Sequence, residues 1–533
     1  MIRHRIRSVA ASAEAGFTMI ITIGVLFVTS MLMVAAFVVA NGDVHLSHVD
    51  TIQKQAYYAA LAGVQNFEYH LEKEPNYWQA CEAPTGFVSE NESQRYEVKL
   101  LAANSKTKCE TGNPFESMIE SKGAAANTFR IESIGCAGKT KLTSCTGESR
   151  GANFASRSVI ATFQASGFLQ YVYFTRYEDK DPALYSPAAN CEKYYEVKSV
   201  LRSSECTNIQ FVSGDNVNGP MHTDDTAQVC GTPEFGRASV KWDKIEIPKI
   251  NEACSASPVF NTKTGEPNTK ARELIPPASD ESLLKYVESA NDYEGVTQLV
   301  LEGEKIKVTN NGTTTPKTWP ANGLIYVKNK GSCGYTFTTH GADTSTEKSQ
   351  ETNCGNVYVK GSYTKSLTIA AENDVIINGN TYPSSVTTLG QAPTGTTVLG
   401  LIATRFVRIY HPVESSGSNS NSSCNAENVT ASQDASQGGY GWGTQENIWI
   451  YAAILSTKHS FTVDNYNCGG NLGELNVYGA IAQNFRGVVG QGSSGYIKNY
   501  NYDERLATDE PPYFLQPLNT GWEVARLTSP AAG

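Results

Sequence analysis

Between Gly16 and Gly42 the chain carries no charged residue, and no other stretch constrains its folding as strongly. In lipid, backbone amides must find partners within the chain, so an uncharged apolar run longer than about 18 residues is read as a membrane-spanning helix. Phe17 to Ala40 would rise roughly 36 Å at 1.5 Å per residue, enough for a hydrocarbon core of about 30 Å. Ile20, Ile23, Leu26, Val34 and Val39 are among its apolar residues. Arg3, Arg5 and Arg7 precede the run, and cytoplasmic flanks collect such charges. The expectation is a single-pass protein of the cytoplasmic membrane, its N-terminus inside and its body exported. The run exceeds the apolar region of a secretory signal, and no small-residue cleavage site follows it.

A basic leader ending in Ala15-Gly16, then Phe17-Thr18-Met19-Ile20 and an unbroken apolar segment, resembles a type IV prepilin. The resemblance implies a leader over 1–16, cut by a prepilin peptidase between Gly16 and Phe17. It also implies membrane lipid and other pilin-like subunits as partners, and a place in a pilus or at the cell surface. Ile21 stands where prepilins usually carry Glu, the residue thought to neutralise a neighbour's terminal amine. Burying that amine unpaired would cost several kcal/mol, so a chain lacking the Glu is expected to be a minor or tip component. Gln55 to Val64 resembles a tract of PilX-like minor pilins, with Leu61 in place of Glu. The large K-type minor pseudopilin of type II secretion is similar in lacking the Glu. Gly400 to Val413, Tyr478 to Gly487, Tyr500 to Arg505 and Pro511 to Leu515 resemble the ends of large pilin-like surface proteins.

Past Gly42, Val49, Ile52, Ala56, Ala60, Val64, Phe67 and Leu71 recur every three or four positions, one face of a helix that Pro75 stops. The helix is therefore expected over 17–75. A small pilin-like α+β region follows over 76–167, with β-like runs such as Tyr96–Leu101 and Ser158–Ala165. From 168 to 533, β-branched and aromatic runs recur between Gly, Asn and Asp corners, as in Asn356–Gly361, Leu367–Ala371, Leu399–Ala403 and Ile448–Leu455. The class expected is α+β, a long N-terminal helix followed by a mostly β body. Short strands ending in small corner residues suit a parallel β-helix, and a β-sandwich is the alternative. Ser279 and Asp280 are expected to cap a short helix through Ser289, and 414–443, rich in Ser, Asn and Gly, reads as a long loop.

All twelve cysteines follow the apolar run: Cys81, Cys109, Cys136, Cys145, Cys191, Cys206, Cys230, Cys254, Cys333, Cys354, Cys424 and Cys468. None forms a Cys-x-x-Cys pair, and such a set persists as disulfides in oxidising compartments. Pairing neighbours in order would close loops of 9 to 44 residues, each worth about 2–4 kcal/mol. The net charge of −10, without a basic stripe, argues against nucleic acid as a partner.

Chemistry is sparse. The stretch Asp215 to Asp225 gathers carboxylates, amides and His222, hard ligands that suit calcium, but Val217 breaks the EF-hand pattern. A turn between strands is the simpler reading. Glu178, Asp179 and Asp181 form a second acidic group near Tyr173 and Arg176. His411 and His459 adjoin apolar runs and read as core or rim residues, and His45 and His48 as interfacial ones. No nucleophile-elbow, zinc-protease or phosphate-loop motif occurs. No catalytic residue, metal or cofactor is expected, and the role expected is structural: filament assembly, adhesion or secretion. Two alternatives remain, a membrane-anchored module that binds surface glycans through its 27 Tyr and 6 Trp, and a β-helix carbohydrate-active enzyme.

Overall fold

The computed structural model describes residues 15–74, 76–103, 105–112, 114–119, 128–146, 153–194, 202–241, 243–335, 337, 352–414, 427–436, 441–519 and 521–529. The chain divides into two compact units, 1–120 with 127–164 and 522–533, and 121–126 with 165–521.

The first unit begins with one helix, α1 (Ala15–Lys73), 59 residues long. It contains no proline, so no amide of its interior lacks a hydrogen. Within it, Met19–Val38 is long and apolar enough to cross a membrane, and none of that stretch is buried. The hydroxyls of Thr22, Thr29 and Ser30 donate to carbonyls three or four residues earlier, which leaves the exposed cylinder apolar. The described structure thus carries one candidate membrane anchor. The second half of α1 changes character at the spacing the sequence sets. Ile52, Ala56, Ala60, Val64, Phe67 and Leu71 are buried, and Val49 is half-buried.

They pack on an antiparallel sheet of β1 (Thr85–Phe87), β2 (Gln94–Leu101), β3 (Thr128–Gly138) and β4 (Phe154–Ala165). Glu97 lies opposite Ile134, and Ile134 opposite Ser158. Close approach is possible because glycines face each other's elements. A Cβ on Gly135 of β3 would fall 2.1 Å from the Ala60 nitrogen and 2.2 Å from the Ala56 oxygen. Phe67, Phe129 and Phe163 form the aromatic centre, with Phe129 and Phe163 stacked at 5.0 Å. Trp522–Thr528 adds a fifth strand beside β4, and Trp522 packs edge-on to Phe129 at 4.7 Å. The body read as 168–533 therefore ends at Gly521, because the apolar residues of that last strand complete the core under α1.

The second unit is mostly β, and its pairings are mainly parallel. One ladder runs Asp292–Glu294, Leu324–Lys328, Leu367–Ala371, Leu399–Ala403, Ala453–Ser456, then the second half of Asn471–Arg486. A second runs Thr297–Gly303, Val357–Tyr363, Val375–Pro383, Trp449–Ile450, the first half of Asn471–Arg486, then Ser494–Tyr502. Alternate residues of both ladders, including Leu301, Val359, Ile369, Ile377, Leu401, Ile454 and Val477, enter one continuous apolar core.

The ladders do not end where the chain does. Ile481 pairs with Tyr173 of β5 (Tyr173–Lys180), and Asn499 pairs with Asn216. Beyond β5 the first ladder continues through Met221–Thr223 to Ile245–Glu246. The earliest strands of this unit thus stack on the latest, and a seam lies between them. Residues 261–291 must return from one end of the stack to the other. Eight strand spacings span roughly 38 Å, within reach of a 31-residue connection of up to about 100 Å. That strap buries Leu274 and Leu283 beside Tyr326, Ile402 and Phe174 on the outer face of the first ladder.

The described disulfides join Cys81–Cys109, Cys136–Cys145, Cys191–Cys206, Cys230–Cys254 and Cys333–Cys354, each to the next cysteine along. Cys468 is also disulfide-bonded. Cys424, residues 1–14 of the leader and Pro75 lie outside the described residues, and of Gly16, Phe17, Val39, His45 and His48 only the helical backbone is described. Two local expectations need correction. Within 414–443, Glu427–Asn428 pairs with Val413–Glu414 and a short helix spans Ala431–Ser436. Trp442 there packs against Tyr358, so this part of the segment is structured. Asp280 heads a 3₁₀ turn, Glu281–Lys285, without capping it. Its side chain instead accepts from Tyr326 and Thr404, both at 2.8 Å, because burial demands partners for a carboxylate.

Candidate functional site

Two regions offer chemistry or contact: the bare half of α1, and the seam of the second unit with its outer face. Along Met19–Val38 the described side chains are exposed, and Ile21 is among them. A bare apolar helix of this length is a contact surface for lipid or for similar helices, which pack through van der Waals fit where lipid removes the hydrophobic drive. It offers no carboxylate.

At the seam the structure brings together the two acidic groups of the sequence. Glu178 accepts from Arg486 at 3.0 Å, and Asp225 accepts from the Glu178 amide at 2.9 Å and from Arg202. Asp179 lies 3.4 Å from Arg202. Asp215 is held by Lys498, with Nζ at 3.0 and 2.9 Å from its two oxygens. All these carboxylates are buried and already faced by guanidinium or ammonium groups, so they do not converge as a free calcium cage. Asp179 also approaches Cys191 and Cys206, but those sulfurs are bonded to each other and offer no thiolate. Asp181 bonds His459 at 3.1 Å, and the His459 ring stacks on Phe406 at 4.5 Å. His411 is buried between the Asp464 carbonyl and Asn428, each at 3.0 Å, and burial holds its pKa below the ordinary value. Arg176 turns away from the acidic group and bonds Tyr194 at 3.2 Å.

His222 bridges Asp224 at 2.8 Å and Glu246 at 2.9 Å. Burial alone would depress its pKa, but the hydrogen bonds it donates to both carboxylates outweigh that and raise it to about 9. Burial raises Asp280 to about 7 and Asp179 to about 8, against the pull of Arg202 on the latter. The signs agree. A raised histidine contributes stability that is whole below its ordinary value near 6.5 and is lost as pH rises through about 9. Each raised carboxyl also favours the folded state less as pH climbs from 3.8 towards 7 or 8. Denaturant unfolding of the full protein is therefore expected to show stability falling between pH 6 and pH 9.5. His222→Gln should lose most of that slope above pH 6.5, worth roughly 3 kcal/mol in the parent. An unchanged slope in that variant would assign the effect elsewhere.

Beside the second ladder, the buried Tyr451 stacks on the half-buried rings of Tyr478 at 5.5 Å and Trp449 at 6.0 Å. Beside them the amides of Asn499 and Asn476 bond at 2.7 Å and those of Asn218 and Asn501 at 3.3 Å. Asn476 is buried, whereas Asn218, Asn499 and Asn501 are part-exposed; Asn499 also donates to Glu474 at 3.3 Å and Asn501 to Asn499 at 3.1 Å. A cavity of about 830 Å³ lies there, lined by Tyr478, Asn218, Asn501, Arg237 and Arg505. Both guanidiniums are neutralised in place, by Asp243 and Asp503.

Sequence reading missed the cations Arg202, Arg408, Arg486 and Lys498. The one available signal was a lone basic residue between core residues of a strand, as in Val407-Arg408-Ile409. Comparison with known proteins finds no matching family model, no similar curated protein and no similar solved structure.

Proposed function

We propose that this chain is a pilin-like surface protein, processed between Gly16 and Phe17 and assembled beside other pilin-like subunits through its bare helix. The observation that carries the reading is a single uninterrupted helix with two halves. Met19–Val38 is uncovered and apolar, while Ile52 to Leu71 is sealed against an antiparallel sheet. Such a helix lets a stem pack among its fellows while the sheet holds a globular head. The leader's Arg residues support an inside N-terminus, and the disulfides an oxidising exterior. With Ile21 in place of an acid and a large second unit, a minor or tip position fits better than a repeating one, since a tip has no subunit above it to neutralise. The parallel ladders support reading the body as a parallel β-helix rather than a sandwich, whose strands pair antiparallel.

A second reading rests on the part-exposed rings of Trp449 and Tyr478, which the buried Tyr451 holds in a stack. Planar rings beside uncharged amides suit the faces and hydroxyls of surface glycans, so the body of a tip subunit would serve adhesion.

Peptide mass spectrometry of the mature protein tests the assignment. A methylated N-terminal Phe17 is expected in the parent and a retained 16-residue leader in Gly16→Leu, with the chain recovered in sheared filament fractions. An intact leader in the parent, or absence from filaments, would overturn it.

A further inference from the structure

The Lys498–Asp215 pair occupies an unusual place. Asp215 stands just before the strand Asn216–Asn218, and Lys498 lies in Ser494–Tyr502, whose Asn499 pairs with Asn216. The two residues therefore face each other across the seam, 283 positions apart in the chain. Their side chains are only 13% and 4% exposed. The amine is within 3.0 Å of both carboxylate oxygens, and the Val212 amide fixes Oδ2 from the other side at 3.0 Å. Tyr173, Tyr500 and Phe211 bury the surroundings.

We propose that Lys498 and Asp215 condense to an intramolecular amide that closes the seam covalently. The reaction needs no oxidant, reductant or cofactor. A proton passes from the ammonium to the carboxylate, giving amine and carboxylic acid. The Nζ lone pair then attacks Asp215 Cγ and the N–C bond forms. One C–O bond breaks, and its oxygen leaves as water with the acid proton and one proton of the amine.

Two features of the site, added to the contact geometry, favour this over a permanent ion pair. Burial, with Arg486 adding to it, lowers the Lys498 pKa although Asp215 opposes both, so the nucleophilic neutral amine is accessible. Both Lys498 and Asp215 also line a partly open cavity of about 660 Å³, which gives the released water an exit. Reactants held in contact at fixed orientation react far faster than free ones.

The seam is where such a bond has the greatest mechanical value. It is the boundary at which the last-made coil meets the first, and pulling there would otherwise part β5 from Asn471–Arg486 by shearing noncovalent contacts. The inference does not depend on the pilin reading.

Digestion of the reduced, alkylated full-length protein followed by peptide sequencing by mass spectrometry tests it. The expected product is a branched peptide joining the segments of Lys498 and Asp215, lighter by about 18 Da, one water, than the two linear peptides together. Lys498→Arg keeps the charge but cannot lose it to become a nucleophile, so it should yield only linear peptides and melt at a lower temperature. Recovery of Lys498 and Asp215 solely in linear peptides from folded parent protein would overturn the proposal. A branched peptide persisting in Lys498→Arg would overturn it equally.

Discussion

Gly135→Val is expected to lift the second half of α1 off its sheet. The added Cβ would meet backbone at 2.1 and 2.2 Å, and backbone of a helix cannot step aside as a flexible side chain can. Either β3 bends or α1 moves away, and moving α1 exposes part of the Phe67, Phe129 and Phe163 cluster. Overpacking of this kind costs about 3 kcal/mol or more where relaxation is blocked. Denaturant unfolding of the full chain in detergent, with proteolysis near 74–84 as a second readout, measures it. Gly112→Val is the control, since nothing lies within 4 Å of a Cβ there, and it should change stability by less than about 0.5 kcal/mol. Equal stability of the two variants would show that the helix does not dock through Gly135.

Arg408→Met should cost about as much in the second unit. Arg408 bonds Asp464 at 2.8 Å and Asp374 at 3.0 Å, and all three side chains are essentially inaccessible to water. Removing the cation leaves two buried carboxylates facing each other without a counter-charge, a loss of about 3–5 kcal/mol. Asp374 keeps the Tyr335 hydroxyl and the Phe406 amide as donors, which limits the damage on its side. Adding Asp374→Asn and Asp464→Asn to the same chain should recover a large part of the loss, because the penalty comes from stranded charge rather than from lost volume. Thermal unfolding followed by near-ultraviolet circular dichroism separates the cases. A single variant as stable as the parent would mean that water reaches this site.

The stem was legible because its signal is local. The spacing of Ile52, Ala56, Ala60, Val64, Phe67 and Leu71 repeats with the helical turn, and the same residues are buried. The β character of Leu367–Ala371, Leu399–Ala403 and Ile448–Leu455 was legible for the same reason. The fate of Asp280 was not. A Ser-Asp pair before an apolar run usually caps a helix, but here Tyr326 and Thr404, 46 and 124 positions away, compete for the carboxylate and win. The candidate site was half legible. Its acids Glu178, Asp179, Asp215 and Asp225 stood out as clusters, whereas the cations that answer them arrive from elsewhere in the chain, Arg486 from 308 positions beyond Glu178.

By itself the sequence determined the apolar stem, its continuation into a sealed helical face, the disulfide-forming cysteines and the β-rich body. Each depends on residue type and near-neighbour period. Tertiary structure alone decided that Trp522–Thr528 returns to the first sheet, that the earliest strands of the second unit pair with the latest, and which buried acid meets which base. Strand periodicity orients side chains in or out but names no partner. Partners such as Ile481 and Tyr173 are chosen by shape and charge across hundreds of residues.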